Sequence, residues 1–195
     1  MKQFTSIRRA LLAAALLLPL HAWSAPAAAS LPGNSIYRLD ATLTDAGGQH
    51  FTLRDMAGTP VLITMFYGDC HAACPIIIET LKRTVAALGP DGKRLRVLMI
   101  SLDPRHDTPA TLSGLLKMHQ LDSSQFRLVV ADGDSQTRAL AAVLNIKYRI
   151  LESGEINHTN RIALLDTSGT VQVDTTRLDA EPDPAFVKRV AALIK

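Results

Sequence analysis

The chain holds only two cysteines in 195 residues. Two thiols underfill a zinc site, which takes four ligands. There is no Lys/Arg run of five or more, so a surface built for polyanions is not supported. There is no internal repeat, and no low-complexity stretch beyond the N-terminus. The N-terminal apolar run, residues 10–20, spans 11 residues, against the ~20 that a membrane-crossing helix needs. The one tryptophan, Trp23, lies just beyond that run.

What the N-terminus does have is an address. Lys2, Arg8 and Arg9 precede the apolar run, and Ala22, Ser24, Ala25 and Ala27 supply small residues after it. This is the layout of a secretory signal peptide over residues 1–24, with cleavage expected near 24–27; the alternative is an uncleaved anchor. The signal region has no cysteine to carry a lipid. Three of the 21 basic residues fall in it, which leaves 18 against 18 acids, so the basic balance of the whole chain carries no message about partners. Residues 25–35, rich in Ala, Pro, Ser and Gly, read as a flexible lead-in. Residues 36–195 are long enough for one domain with its own core.

Both thiols sit in Phe66-Tyr67-Gly68-Asp69-Cys70-His71-Ala72-Ala73-Cys74-Pro75. An apolar run precedes this string and a helical pattern follows it. A thiolate is favoured at such a helix N-terminus by unpaired N–H groups and the macrodipole. Export implies an oxidising compartment, where the pair can form a disulfide. As a staple it would do little: closing so short a loop is worth roughly 2 kcal/mol in the chain-entropy model, against ~4.7 for a 100-residue loop. Chemistry explains the pair better than stability does.

The rest of the chain predicts an α/β fold. Residues 37–44 and 50–53 alternate around Asp45-Ala46-Gly47-Gly48 and predict a hairpin. Residues 61–67, 95–101 and 126–131 are buried strands. Helices are expected over 73–88, from Thr108 as N-cap to 120, from Asp134 as N-cap to 144, and over 182–194. Residues 148–152 and 161–165 read as strands joined around Ser153-Gly154, and 170–175 as a strand after the turn at 166–169. The alternation argues a mixed sheet flanked by helices, with an early and a late hairpin. A thiol pair between the first core strand and first core helix has the thioredoxin-like layout, one residue wider than C-x-x-C.

Soft thiolates favour Cu(I), Zn or Fe–S. Two thiolates and one imidazole make a three-coordinate set suited to copper, so the question is which of six histidines joins. His21 is in the signal and His50 in the first hairpin. His71 lies between the cysteines, where it could ligate only in strained geometry. His106 sits in a polar loop. His119 ends a helix, where partial positive charge is welcome. His158 precedes a strand in a segment able to reach the cysteine turn, and is the best candidate.

Three stretches together resemble the SCO/SenC family of extracytoplasmic, thioredoxin-fold (peroxiredoxin-related) copper-binding proteins: residues 66–75 with C-x-x-x-C-P; residues 100–109 with D-P-R-H-D-T-P; and residues 158–169 with His158 ahead of Leu165-Asp166 and Gly169. By this resemblance Cys70, Cys74 and His158 match the copper ligands, for Cu(I) or Cu(II), and Asp103 matches an acidic loop position, read first as a turn former. The resemblance implies a periplasmic copper chaperone for the CuA centre of cytochrome c oxidase. Its partners would be the subunit carrying CuA, or another periplasmic copper or thiol client, and a copper-donor chaperone. The alternative within the family is a thiol-disulfide oxidoreductase using Cys70 and Cys74 as a redox pair on CuA-site cysteines. His71 stands where the family often has proline, which loosens the turn. A peroxidase is disfavoured by cysteines paired at such short range, and an inert interaction domain is the blandest reading.

Overall fold

The computed structural model describes residues 30–69, 73–179 and 181–194, with Ala73 and Cys74 as backbone only. The expected signal peptide, most of the lead-in, Cys70 and His71 lie outside the described residues.

Three strands fix the rest. β3 (Val61–Phe66) is buried at all six positions, β4 (Arg96–Ser101) at five and β5 (Phe126–Ala131) at five. Strands buried on both faces read as continuous apolar runs, which is why they stand out in the sequence. β3 pairs parallel with β4, and β4 parallel with β5. Each pair needs a crossover, and the crossovers are α1 (Ala73–Ala87) and α2 (Pro109–Met118). The sheet completes itself with β1 (Thr42–Asp45), β2 (His50–Thr52), β8 (Ile162–Leu165) and β9 (Val171–Thr175), in the order β2–β1–β5–β4–β3–β8–β9. β1 runs antiparallel to β5, and β8 antiparallel to β3, so the sheet is mixed as expected.

The helices bury what their periodicity predicts. α1 turns Ile77, Ile78 and Leu81 inward, each at most 2% exposed. Its buried hydroxyls are answered locally: Thr80 donates to Ile76 O at 2.8 Å and Thr84 to Thr80 O at 2.7 Å. Thr108 caps α2 by accepting from Thr111 N at 3.2 Å. α4 (Pro184–Leu193) is capped by Asp183, which accepts from Ala185 N at 3.0 Å. Among the described residues no helix is long and apolar enough to cross a membrane.

The structure corrects three expectations. Residues 36–38 form a 3-10 turn rather than the start of a strand. Ile36 and Tyr37 are buried there, and Ile36 N donates to Gly169 O at 3.0 Å, so docking against the β8–β9 turn overrides the alternating pattern. α3 (Gly133–Val143) starts after Asp132, not at Asp134, whose carboxylate is drawn off to Arg105 Nε at 3.1 Å. Finally, residues 148–152 do not pair with 161–165. β6 (Tyr148–Ile150) pairs with β7 (Ile156–His158) as a separate two-stranded ribbon, while β8 joins the main sheet.

Candidate metal site

The parallel pairing of β3 with β4 aligns Phe66 with Ser101, so both strands end at one edge of the sheet. β8 runs the other way, with Ala163 opposite Ile63, so the residues before β8 reach that same edge. Thr64, 1% exposed, donates its hydroxyl to Arg161 O at 2.8 Å and holds the approach to β8 against β3. Leu102 N donates to Phe66 O at 2.6 Å and ties the other side. The thiol loop opens from this edge, and Cys74 belongs to the first turn of α1.

His158 is the last residue of β7, opposite Tyr148. Its ring stands edge-on to the Tyr67 ring, with centroids 6.1 Å apart and planes at 82°. Tyr67 is itself buried and lies three residues before Cys70. The imidazole therefore sits against the very segment that leads into the thiols. Its Nδ1 lies 3.3 Å from Thr159 O. A carbonyl only accepts, so Nδ1 carries the proton, and Nε2 keeps a lone pair free for a metal.

Burial lowers the His158 pKa below the ordinary 6.5, and its hydrogen bond to Thr159 only partly opposes this. The depressed value means that the unfolded state takes up the proton first as pH falls. Stability is thus undiminished above about pH 6.5 and declines as pH drops below it. An NMR titration of the ring protons should give a midpoint below 6.5; one above it would mean that the ring is solvated or paired with an acid. At neutral pH the ring is in its metal-binding form.

The other described histidines are engaged elsewhere. His50 Nδ1 is 3.0 Å from Thr44 Oγ1 in the β1–β2 hairpin. His119 is the C-cap residue of α2. His106 is exposed, with Nδ1 2.8 Å from a carboxylate oxygen of Asp103. Asp103 does more than form a turn, since it holds that imidazole, while its N–H donates to Ser101 Oγ at 2.9 Å.

Sequence reasoning passed over Asp107, the second acid of the same loop. It is 5% exposed, accepts from Gly68 N at 2.9 Å, and accepts from the Ser101 hydroxyl. Burial pushes its carboxyl above the usual carboxylate range, despite those two donors. The signal was present in two acids flanking Pro104-Arg105-His106, but nothing in the pattern says which of them turns inward.

A family model described as SCO1/SenC matches residues 32–195. No curated protein sequence matches the chain. Among solved structures, a SCO1/SenC family lipoprotein from Bacillus anthracis superposes with a TM-score of 0.73 at 17% identity, over 82% of this chain and 96% of that one. ScoI from Bradyrhizobium japonicum, solved with copper bound, gives 0.61 at 25% identity, over 76% and 96%. BsSco, a member of the Sco family of cytochrome c oxidase assembly proteins in which a disulfide switch is identified, gives 0.68 at 17%, over 81% and 94%. The thioredoxin-like fold expected from the sequence is the fold observed.

Proposed function

The chain belongs to the SCO1/SenC family, and from that premise we propose that it is a periplasmic copper carrier serving the CuA centre of cytochrome c oxidase. Residues 1–24 direct export, 25–35 form the lead-in, and 36–195 are the copper-binding domain. Copper, as Cu(I) or Cu(II), is the cargo, and Cys70, Cys74 and His158 are its ligands. The observation that carries this is the His158 ring packed edge-on against Tyr67, three residues before Cys70. Support also comes from relatives: the Bradyrhizobium protein is solved with copper bound, and BsSco belongs to a family of oxidase assembly proteins. Three soft or borderline donors suit Cu(I) and leave one side open for a client's ligands to displace them in turn. Both thiols must lose their protons to bind, so affinity falls with falling pH.

A second reading is favoured by the position of Cys74 in the first turn of the helix that follows β3. Here the Cys70 thiolate attacks a client disulfide and expels one client thiolate. The Cys74 thiolate then attacks Cys70 Sγ and frees the second. The client gains two electrons, and this chain ends with the Cys70–Cys74 disulfide.

An anaerobic titration of the reduced protein with Cu(I), beside Cys70→Ala, tests the carrier reading. One copper per chain is expected, with roughly a hundredfold weaker binding or none in the variant. A reduced protein that takes up no copper, yet readily reduces a test disulfide, leaves only the second reading standing.

A further inference from the structure

Among the described residues Asp107 is the one charged side chain in the buried set. A carboxylate is costly to bury unless it is paired and hydrogen-bonded, and among the described residues this one is in no ion pair. What it has is two donors from two different segments. Ser101 ends β4, and Gly68 follows β3 by two residues. The fit at Gly68 is close: a Cβ there would lie 2.2 Å from Asp107 Oδ1 and 3.3 Å from Thr111 Cγ2. Carboxylate and glycine are matched, since any side chain at position 68 would force the acid or its neighbours to shift. Two residues after that glycine comes Cys70.

We propose that Asp107 is a positioning residue for the thiol pair: by holding the Gly68 N–H to the end of β4, it fixes where the backbone leaves the sheet for Cys70. In the copper reading, on which this builds, that anchor presets the first thiol relative to Cys74 and His158. A preset site gives up less conformational freedom on closing, whether around copper or into a disulfide.

The test compares the parent protein with Asp107→Asn and Gly68→Ala. The first keeps the size and removes the charge; the second keeps the acid and denies it its seat. Two quantities are read. One is Cu(I) affinity by competition with a chromophoric chelator. The other is the equilibrium in which protein dithiol and oxidised glutathione give protein disulfide and two reduced glutathiones. Each variant is expected to weaken copper by about tenfold and to shift the glutathione equilibrium by about fivefold or more. The double variant should be no worse than the poorer single one. Circular dichroism and denaturant midpoints confirm folding.

Folded variants with the parent's copper affinity and glutathione equilibrium overturn the proposal. So does an unfolded Asp107→Asn beside an unchanged Gly68→Ala, or loss of fold in both, since the acid is then a core anchor only. If no form binds copper but the glutathione equilibrium still shifts, the carrier reading fails and the positioning role stands.

Discussion

Replacing His158 with alanine is expected to weaken Cu(I) binding roughly a hundredfold, about 2.8 kcal/mol at 1.4 per decade, while disulfide exchange stays within about threefold of the parent. The two effects separate because of the ring's charge state. A protonated imidazole beside a thiol would stabilise the thiolate and speed exchange. Burial holds this ring below the ordinary histidine pKa, so at neutral pH it brings a lone pair and no charge. Its loss removes a ligand and leaves thiol acidity alone. Cu(II), which relies more on nitrogen than Cu(I) does, should suffer more. Competition titration and the rate of reduction of a test disulfide read the two sides. Full copper affinity in His158→Ala would sink the ligand assignment; a collapse of both would point to a damaged fold.

The second large effect is on stability. Gly169→Ala is expected to cost about 2–5 kcal/mol, from a left-handed backbone at roughly 1–2 and displacement of a buried ring at roughly 1–3. Gly169 has φ +81°, and a Cβ there would stand 2.4 Å from Tyr37 Cγ. Tyr37 is 2% exposed and packed in the core, so the ring has little freedom to retreat. Gly48→Ala is the control, with φ +78° and open space around the added methyl. It should show the backbone cost alone, about 1–2 kcal/mol. Equal denaturant midpoints for the two variants would mean that the ring yields freely. Copper stoichiometry should be unchanged in Gly169→Ala, because the turn lies at the end of β8 away from His158.

The three central strands were legible because burial on both faces writes an unbroken apolar run, and Thr108-Pro109 announced its helix by capping chemistry alone. The nomination of His158 came from its place ahead of a strand and from the family pattern. What stayed hidden depends on distant partners. Ile36 and Tyr37 alternate like a strand, yet turn because the β8–β9 corner receives them. Residues 148–152 have the composition of a strand, but composition cannot name the mate, and the mate is residues 156–158. Asp103 and Asp107 look alike in the loop; only the approach of β3 to β4 decides that Asp107 turns inward and meets Gly68.

The ribbon that carries His158 has a further consequence. It is two strands of three residues each, tied by Lys147 N to Thr159 Oγ1 and by Thr159 N to Lys147 O. So short a ribbon has little cohesion of its own, whereas the thiol loop hangs from a strand buried along its whole length. Thermal opening starts where cohesion is least. On the proposed copper reading, the arm that carries His158 is then the one expected to open first.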